Sequence, residues 1–161
     1  MKNLKTKIFA AAIVLLMMVG ANTYAQVRIG AGLAYATDFN EVGINLRGDY
    51  LITEPWRVGA DFTFYLTGAG YSVNELNFNG FYAFEGESVT PYLLGGINIL
   101  MTSVDFGAWG GGKASNSDIG LNLGGGLDLP FSDNLSGFGE AKIVLSGGTY
   151  LALNAGIKYA F

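Results

Sequence analysis

The sequence predicts an all-β chain: an eight-stranded antiparallel up-and-down transmembrane β-barrel behind an N-terminal signal peptide. Three observations carry that prediction. Apolar and polar residues alternate with period two, the ionised residues keep to one parity of that alternation, and the amino terminus is built for export.

The amino terminus decides which residues belong to the fold. Met1 to Lys7 carries Lys2, Lys5 and Lys7 without an acid, Ile8 to Val19 is unbroken apolar sequence, and Thr23-Tyr24-Ala25 ends in small residues. This order predicts a secretory signal peptide over 1–25, leaving 26–161 as the barrel. The apolar run falls short of the roughly 20 residues that a spanning helix needs. The chain has no Cys, so lipid attachment at the cleavage site, disulfides and thiolate metal sites are not expected.

The remaining chain keeps six bases, Arg28, Arg47, Arg57, Lys113, Lys142 and Lys158, and more acids than bases. Nucleic acid is therefore not an expected partner, because phosphate recognition is driven by excess positive charge. No apolar stretch after residue 25 is long enough to cross a bilayer as a helix. A chain that crosses lipid must then do so as strands closed on themselves, since open strand edges have no partner in hydrocarbon.

Read with the period-two template, the strands fall at 26–37, 41–53, 56–66, 73–84, 89–102, 117–129, 135–145 and 150–161. The last is the clearest: Leu151, Leu153, Ala155, Ile157, Tyr159 and Phe161 share one parity, and Asn154, Gly156 and Lys158 the other. Ile119, Leu121, Leu123, Leu127 and Leu129 repeat the pattern opposite Asp118, Asn122 and Asp128. Turn chemistry separates the strands at Asp38-Phe39-Asn40, Glu54-Pro55, Gly68-Ala69-Gly70, Glu85-Gly86-Glu87, Pro130 to Asn134 and Gly147-Gly148. A Gly-rich loop over 103–116 is the only long connection expected. An even strand number puts both termini on one side, and the alternation of short turns with the other connections predicts that this side is periplasmic.

Parity assigns Arg28, Arg47, Asp49, Arg57, Asp61, Glu75, Asp118, Asp128, Glu140, Lys142 and Lys158 to the face opposite the apolar one. A soluble barrel of similar size would line its cavity with apolar groups and turn its charges to water. The reverse sorting predicts a lipid-facing exterior and a lumen filled by ion pairs. Outward aromatics cluster near strand ends, with Tyr50, Trp56, Tyr82, Phe84, Tyr159 and Phe161 at one end and Tyr35 and Phe64 at the other, where interfacial girdles belong.

These residues carry a family resemblance. The terminal strand, with Phe161 last and Leu153, Ala155, Ile157 and Tyr159 alternating before it, resembles the assembly signal of bacterial outer-membrane proteins. The chain from residue 26 onward is similar to the small OmpA-type and OmpX-type barrels, as is the Pro91-Tyr92 opening of a Gly-rich strand. The Ala25-Gln26 junction resembles those of Bacteroidetes secreted proteins. The resemblance implies outer-membrane lipid as surroundings, and the barrel-assembly machinery and a periplasmic chaperone as biogenesis partners.

A lumen of eight strands is just wide enough to be filled by side chains, so a non-enzymatic structural or interaction role in the cell envelope is expected. A narrow pore or transport accessory, and a subunit of a larger envelope complex, are the alternatives. The chain has no His, which removes imidazole activation of a nucleophile and the commonest metal ligand; no catalytic, cofactor or metal site is expected. Arg47-Gly48-Asp49 spells an adhesion tripeptide, yet parity points Arg47 and Asp49 inward. Phe106, Trp109 and Lys113 in the long loop are the candidate surface contacts. Outward Gly95, Gly125 and Gly137 or Gly139 are expected to lie near one another, either easing curvature or leaving a groove for a lipid chain or partner helix.

Overall fold

The computed structural model describes residues 27–68, 70–86, 88–106 and 111–161. The expected signal peptide and Trp109 lie outside these residues. Eight strands form one closed antiparallel barrel: β1 (Val27–Ala36), β2 (Glu41–Thr53), β3 (Trp56–Tyr65), β4 (Tyr71–Ala83), β5 (Thr90–Asp105), β6 (Lys113–Pro130), β7 (Leu135–Leu145) and β8 (Thr149–Ala160). Each strand pairs with its sequence neighbours, and β8 returns to β1 through pairs such as Ile29 with Tyr159 and Tyr35 with Leu153. Closure leaves no strand edge unpaired, which is the condition for crossing hydrocarbon.

The alternation sorts as the sequence predicts. Outward positions are large and apolar, with Leu33 62% exposed, Leu123 68% and Ile119 77%, while Asn45, Asn77 and Asn98 on the opposite parity are fully buried. Aromatic rings stack edge-on in two outward groups at the end bearing the termini. Trp56 lies 5.0 Å from Tyr82, which lies 5.1 Å from Phe84, and Tyr159 lies 5.0 Å from Phe161. At the other end Phe64 and Tyr71 are exposed, and the Tyr35 hydroxyl donates to Asn40 Oδ1 at 2.6 Å.

The strand bounds differ from expectation most at β5 and β6. They pair out to Asp105 opposite Lys113, so the connection between them is only 106–112 and half of the expected long loop is a β5–β6 ribbon, flanked by β4 as far as Val104. Ser103, Ser115 and Asn116 hide this extension from a pattern reading, because Val104 opposite Ala114 is its one apolar pair. Once the ribbon has left the apolar belt it has no apolar face to mark, and its stability comes from backbone pairing and contacts such as Ser72 Oγ to Ser103 Oγ at 2.6 Å.

Glycines differ in the room around them. Gly32 and Gly156 sit opposite each other on the inward parity, and a Cβ on either would run into the other strand's backbone. A Cβ at Gly126 would meet the Tyr92 ring at 2.5 Å, so this glycine makes room for the phenol. Outward Gly95 has nothing nearer than a carbonyl oxygen at 3.8 Å, and Gly139 has nothing within 4 Å. The expected outward row is present, with Gly125 diagonal to both Gly95 and Gly139. Gly95 pairs directly with Gly80, and Gly137 is covered by the Phe131 ring, leaving Gly139 as the open member. Gly32→Ala is expected to cost about 1–3 kcal/mol through overpacking, and Gly95→Ala to stay within about 0.5 kcal/mol, as read by urea unfolding of the barrel folded into lipid vesicles.

Candidate functional site

The lumen is filled by side chains in layers. Nearest the termini, β1, β2, β3, β6 and β8 direct Arg28, Asp49, Arg57, Asp128 and Lys158 into one cluster. Asp128 is its centre: Oδ2 accepts from Arg57 Nη1 at 2.7 Å and Arg28 Nη1 at 3.1 Å, while Oδ1 lies 2.5 Å from Lys158 Nζ. Arg28 also pairs with Asp49, which stands 3.8 Å from Arg57. Phe81 and Tyr92 wall this layer, with the Arg57 guanidinium 5.7 Å and 5.2 Å from their ring centroids.

The next layer is a two-pronged pair. Arg47 Nη1 and Nη2 donate to Glu140 Oε2 and Oε1, each at 3.1 Å, and the guanidinium lies 4.0 Å over the Phe138 ring. Tyr92 Oη and Asn154 Nδ2 donate to the same carboxylate at 3.0 Å and 3.1 Å. A bidentate pair with its remaining lone pairs satisfied is the form in which buried ions are tolerated.

Above it lies an amide layer. Asp61 Oδ1 accepts from Asn45 and Asn77, both at 2.9 Å, and Oδ2 accepts from Asn79 at 3.2 Å. Asn98 and Asn122 donate to Asn77 Oδ1 at 2.8 Å and 2.9 Å. Lys142 Nζ stands 3.7 Å from Asp61. Glu75 then accepts from Tyr65 Oη at 3.0 Å and Tyr150 Oη at 2.5 Å. Val73, Leu100, Val144, Ala34, Ala36 and Ala152 close the lumen beyond it. Phe39, from the β1–β2 turn, packs onto this plug at 5.3 Å from Tyr150 and 5.8 Å from Tyr65.

Of the eleven charged residues assigned inward by parity, ten occupy this core. Asp118 is the correction. It is half-buried at the end away from the termini, its carboxylate accepts from Asn116 Nδ2 at 2.7 Å, and no base among the described residues is ion-paired to it. Parity gives the face of a residue but not its depth, and Asp118 belongs to the rim. Its removal leaves five bases and five acids inside: Arg28, Arg47, Arg57, Lys142 and Lys158 against Asp49, Asp61, Glu75, Asp128 and Glu140. The amide layer apart from Asn122, the inward tyrosines and the apolar plug are not marked by the sequence reading, although inward parity was available for each. Phe106 and Lys113 are exposed at the ribbon tip and do not meet the lumen. Arg47 and Asp49 are buried on either side of Gly48, so the tripeptide is not displayed.

No family model and no curated protein matches the chain. Solved structures do. Neisserial surface protein A aligns at 21% identity with a TM-score of 0.67, covering 84% of this chain and 96% of that one. The N-terminal β-barrel domain of Pseudomonas aeruginosa OprF aligns at 15% identity with a TM-score of 0.69, covering 87% and 100%. Ail, the attachment invasion locus protein of Yersinia pestis, aligns at 20% identity with a TM-score of 0.62, covering 84% and 96%. The shared property at these identities is the fold: the closed eight-stranded barrel of small outer-membrane proteins.

Removing one member of the bidentate pair strands the other. Glu140→Ala is expected to cost about 3–5 kcal/mol in unfolding free energy, with the double variant Arg47→Leu, Glu140→Leu recovering most of it. Asp118→Asn is expected to change stability by less than about 0.5 kcal/mol. Denaturant titration in vesicles distinguishes the three.

Proposed function

We propose that this chain is an integral outer-membrane barrel with a closed lumen, both termini in the periplasm, and a non-enzymatic structural or interaction role in the cell envelope. The observation that carries the reading is the inversion of an ordinary soluble protein: a charge-balanced polar core inside an apolar exterior. An Arg or Lys at mid-depth on that exterior would cost about 2–4 kcal/mol in lipid, and the outward mid-strand positions carry none.

Orientation is supported by the connections. The end bearing the termini has the shortest turn, the two residues between β2 and β3, while the longest connection, between β5 and β6, is at the opposite end. The placing of these two supports a periplasmic end for the termini and an extracellular end for the β5–β6 extension. Phe161 and the alternating residues before it are then in place for the assembly machinery and its periplasmic chaperone.

The non-enzymatic reading is supported by saturation of the acids. Glu140 and Asp128 are the acids best placed for proton transfer chemistry, yet the first is held by Arg47, Tyr92 and Asn154 and the second by three bases. Neither has the free geometry that a general acid or base needs beside a substrate. The interaction half of the reading rests on the ribbon, whose polar edges and exposed Phe106 stand clear of the belt. Asp38, Glu41, Asp105 and Asp118 outnumber Lys113 around that end, which favours a basic partner over a polyanion.

In planar bilayers the folded barrel is expected to give no reproducible single-channel steps, because the apolar plug and the paired layers leave no continuous aqueous path. Reproducible steps would replace this reading with the narrow pore.

A further inference from the structure

The ten lumen charges balance over the whole barrel but not layer by layer. The layer nearest the termini holds Arg28, Arg57 and Lys158 against Asp49 and Asp128, an excess of one positive charge. The layers toward the plug hold Lys142 against Asp61 and Glu75, an excess of one negative charge.

The positive layer opens to the outside. A bowl of about 750 Å³ at the barrel end bearing the termini is lined by Arg28 and Arg57, with Glu54, Glu85, Tyr82 and Phe84 among its walls. Its size is that of a small-molecule site. The Arg28 side chain is 20% exposed. Arg57 is 6% exposed, and its Nε and Nη2 have no hydrogen-bond acceptor. Those two nitrogens form one edge of the guanidinium, whose parallel N–H groups match a carboxylate or phosphate. A buried guanidinium edge without an acceptor is costly, and an oxyanion is the group that would satisfy both it and the charge excess. Glu54 and Glu85 are exposed at the rim, so a ligand with its anion on the floor meets negative charge a few atoms away.

We propose that this bowl binds a phosphate ester carrying a nearby ammonium group, with the phosphate on the free Nε–Nη2 edge of Arg57, on the same floor as Arg28, and the ammonium facing Glu54 and Glu85. Phosphoethanolamine is the minimal ligand of that class. A lipid headgroup and a soluble ester share this chemistry. Because Tyr82 and Phe84 belong to the outward aromatic girdle as well as to the bowl, the site is reachable from the membrane interface. Asp128 Oδ2 already bridges Arg28 and Arg57 on the Nη1 side and both unpartnered Arg57 nitrogens are covered, so the anion must reach the opposite, Nε–Nη2 edge rather than rest on the rim. The proposal uses the membrane reading only for the lipid source; the soluble ester tests the site without it.

The test is NMR observation of the arginine Nε–Hε signals of the folded barrel in maltoside micelles, which carry no phosphate. Phosphoethanolamine is expected to shift both Arg28 and Arg57 saturably, with inorganic phosphate weaker and ethanolamine alone inert. Arg28→Gln is expected to weaken binding about tenfold, the loss of one good ionic hydrogen bond. Glu54→Gln, Glu85→Gln, at exposed positions that leave the fold alone, is expected to reduce phosphoethanolamine to the affinity of inorganic phosphate. Short-chain phosphatidylethanolamine binding more tightly than the soluble ester identifies the lipid as source, and equal affinity identifies the soluble compound. Shifts that stay linear in concentration, an Arg57 signal that does not move, or an unchanged preference in the double rim variant would overturn the proposal.

Discussion

An ion enclosed in a narrow cylinder has little water to solvate it, so each charge in the lumen must find an opposite charge or a set of dipoles among its neighbours. That constraint organises the barrel. Asp128 gathers three bases, Glu140 is matched to a single guanidinium, and Asp61 and Glu75, which have fewer cations near them, are surrounded by amide and phenol donors. The composition of each layer follows from how many ions of each sign it must settle. The Asn residues act as neutral donors where a base would upset the balance.

Packing obeys the same demand. Long ionic and phenolic side chains need space inside eight strands, and the inward glycines supply it: Gly126 beneath Tyr92, and Gly30 where a Cβ would crowd Lys158 and Arg47. Outward Gly95 and Gly139 are of a different kind, with free space around them. The apolar plug with Phe39 seals the end away from the termini, while the opposite end opens into a charged bowl. The molecule is thus asymmetric along its axis in both charge and access, and a scaffold of this kind offers surfaces at its two ends rather than a path between them.

Much of this was legible in the sequence because strand alternation is a two-state code. In β8, where Lys158 and Asn154 alternate with Ile157 and Leu153, face could be read residue by residue, and antiparallel neighbours with short turns constrained the order of the strands. Depth was not legible. Asp118 shares its parity with Asp128, yet ten residues along β6 separate a half-exposed rim residue from the centre of an ion cluster near the opposite end. Register between strands distant in sequence was equally hidden, so no pattern showed that Arg47 of β2 would meet Glu140 of β7 across the lumen. The β5–β6 ribbon was misread as a loop because its residues lie beyond the belt whose hydrophobicity marks a strand.

The central claim is that alternate side chains face hydrocarbon while their neighbours fill a closed interior. The chain has no native cysteine, so single spin labels can be placed at Leu33, Leu46, Leu123 and Ile157 and their collision rates with oxygen and with a water-soluble nickel chelate compared in lipid vesicles. The account predicts high oxygen and negligible nickel accessibility at all four sites. Nickel collisions at the rate of a water-exposed label would contradict it.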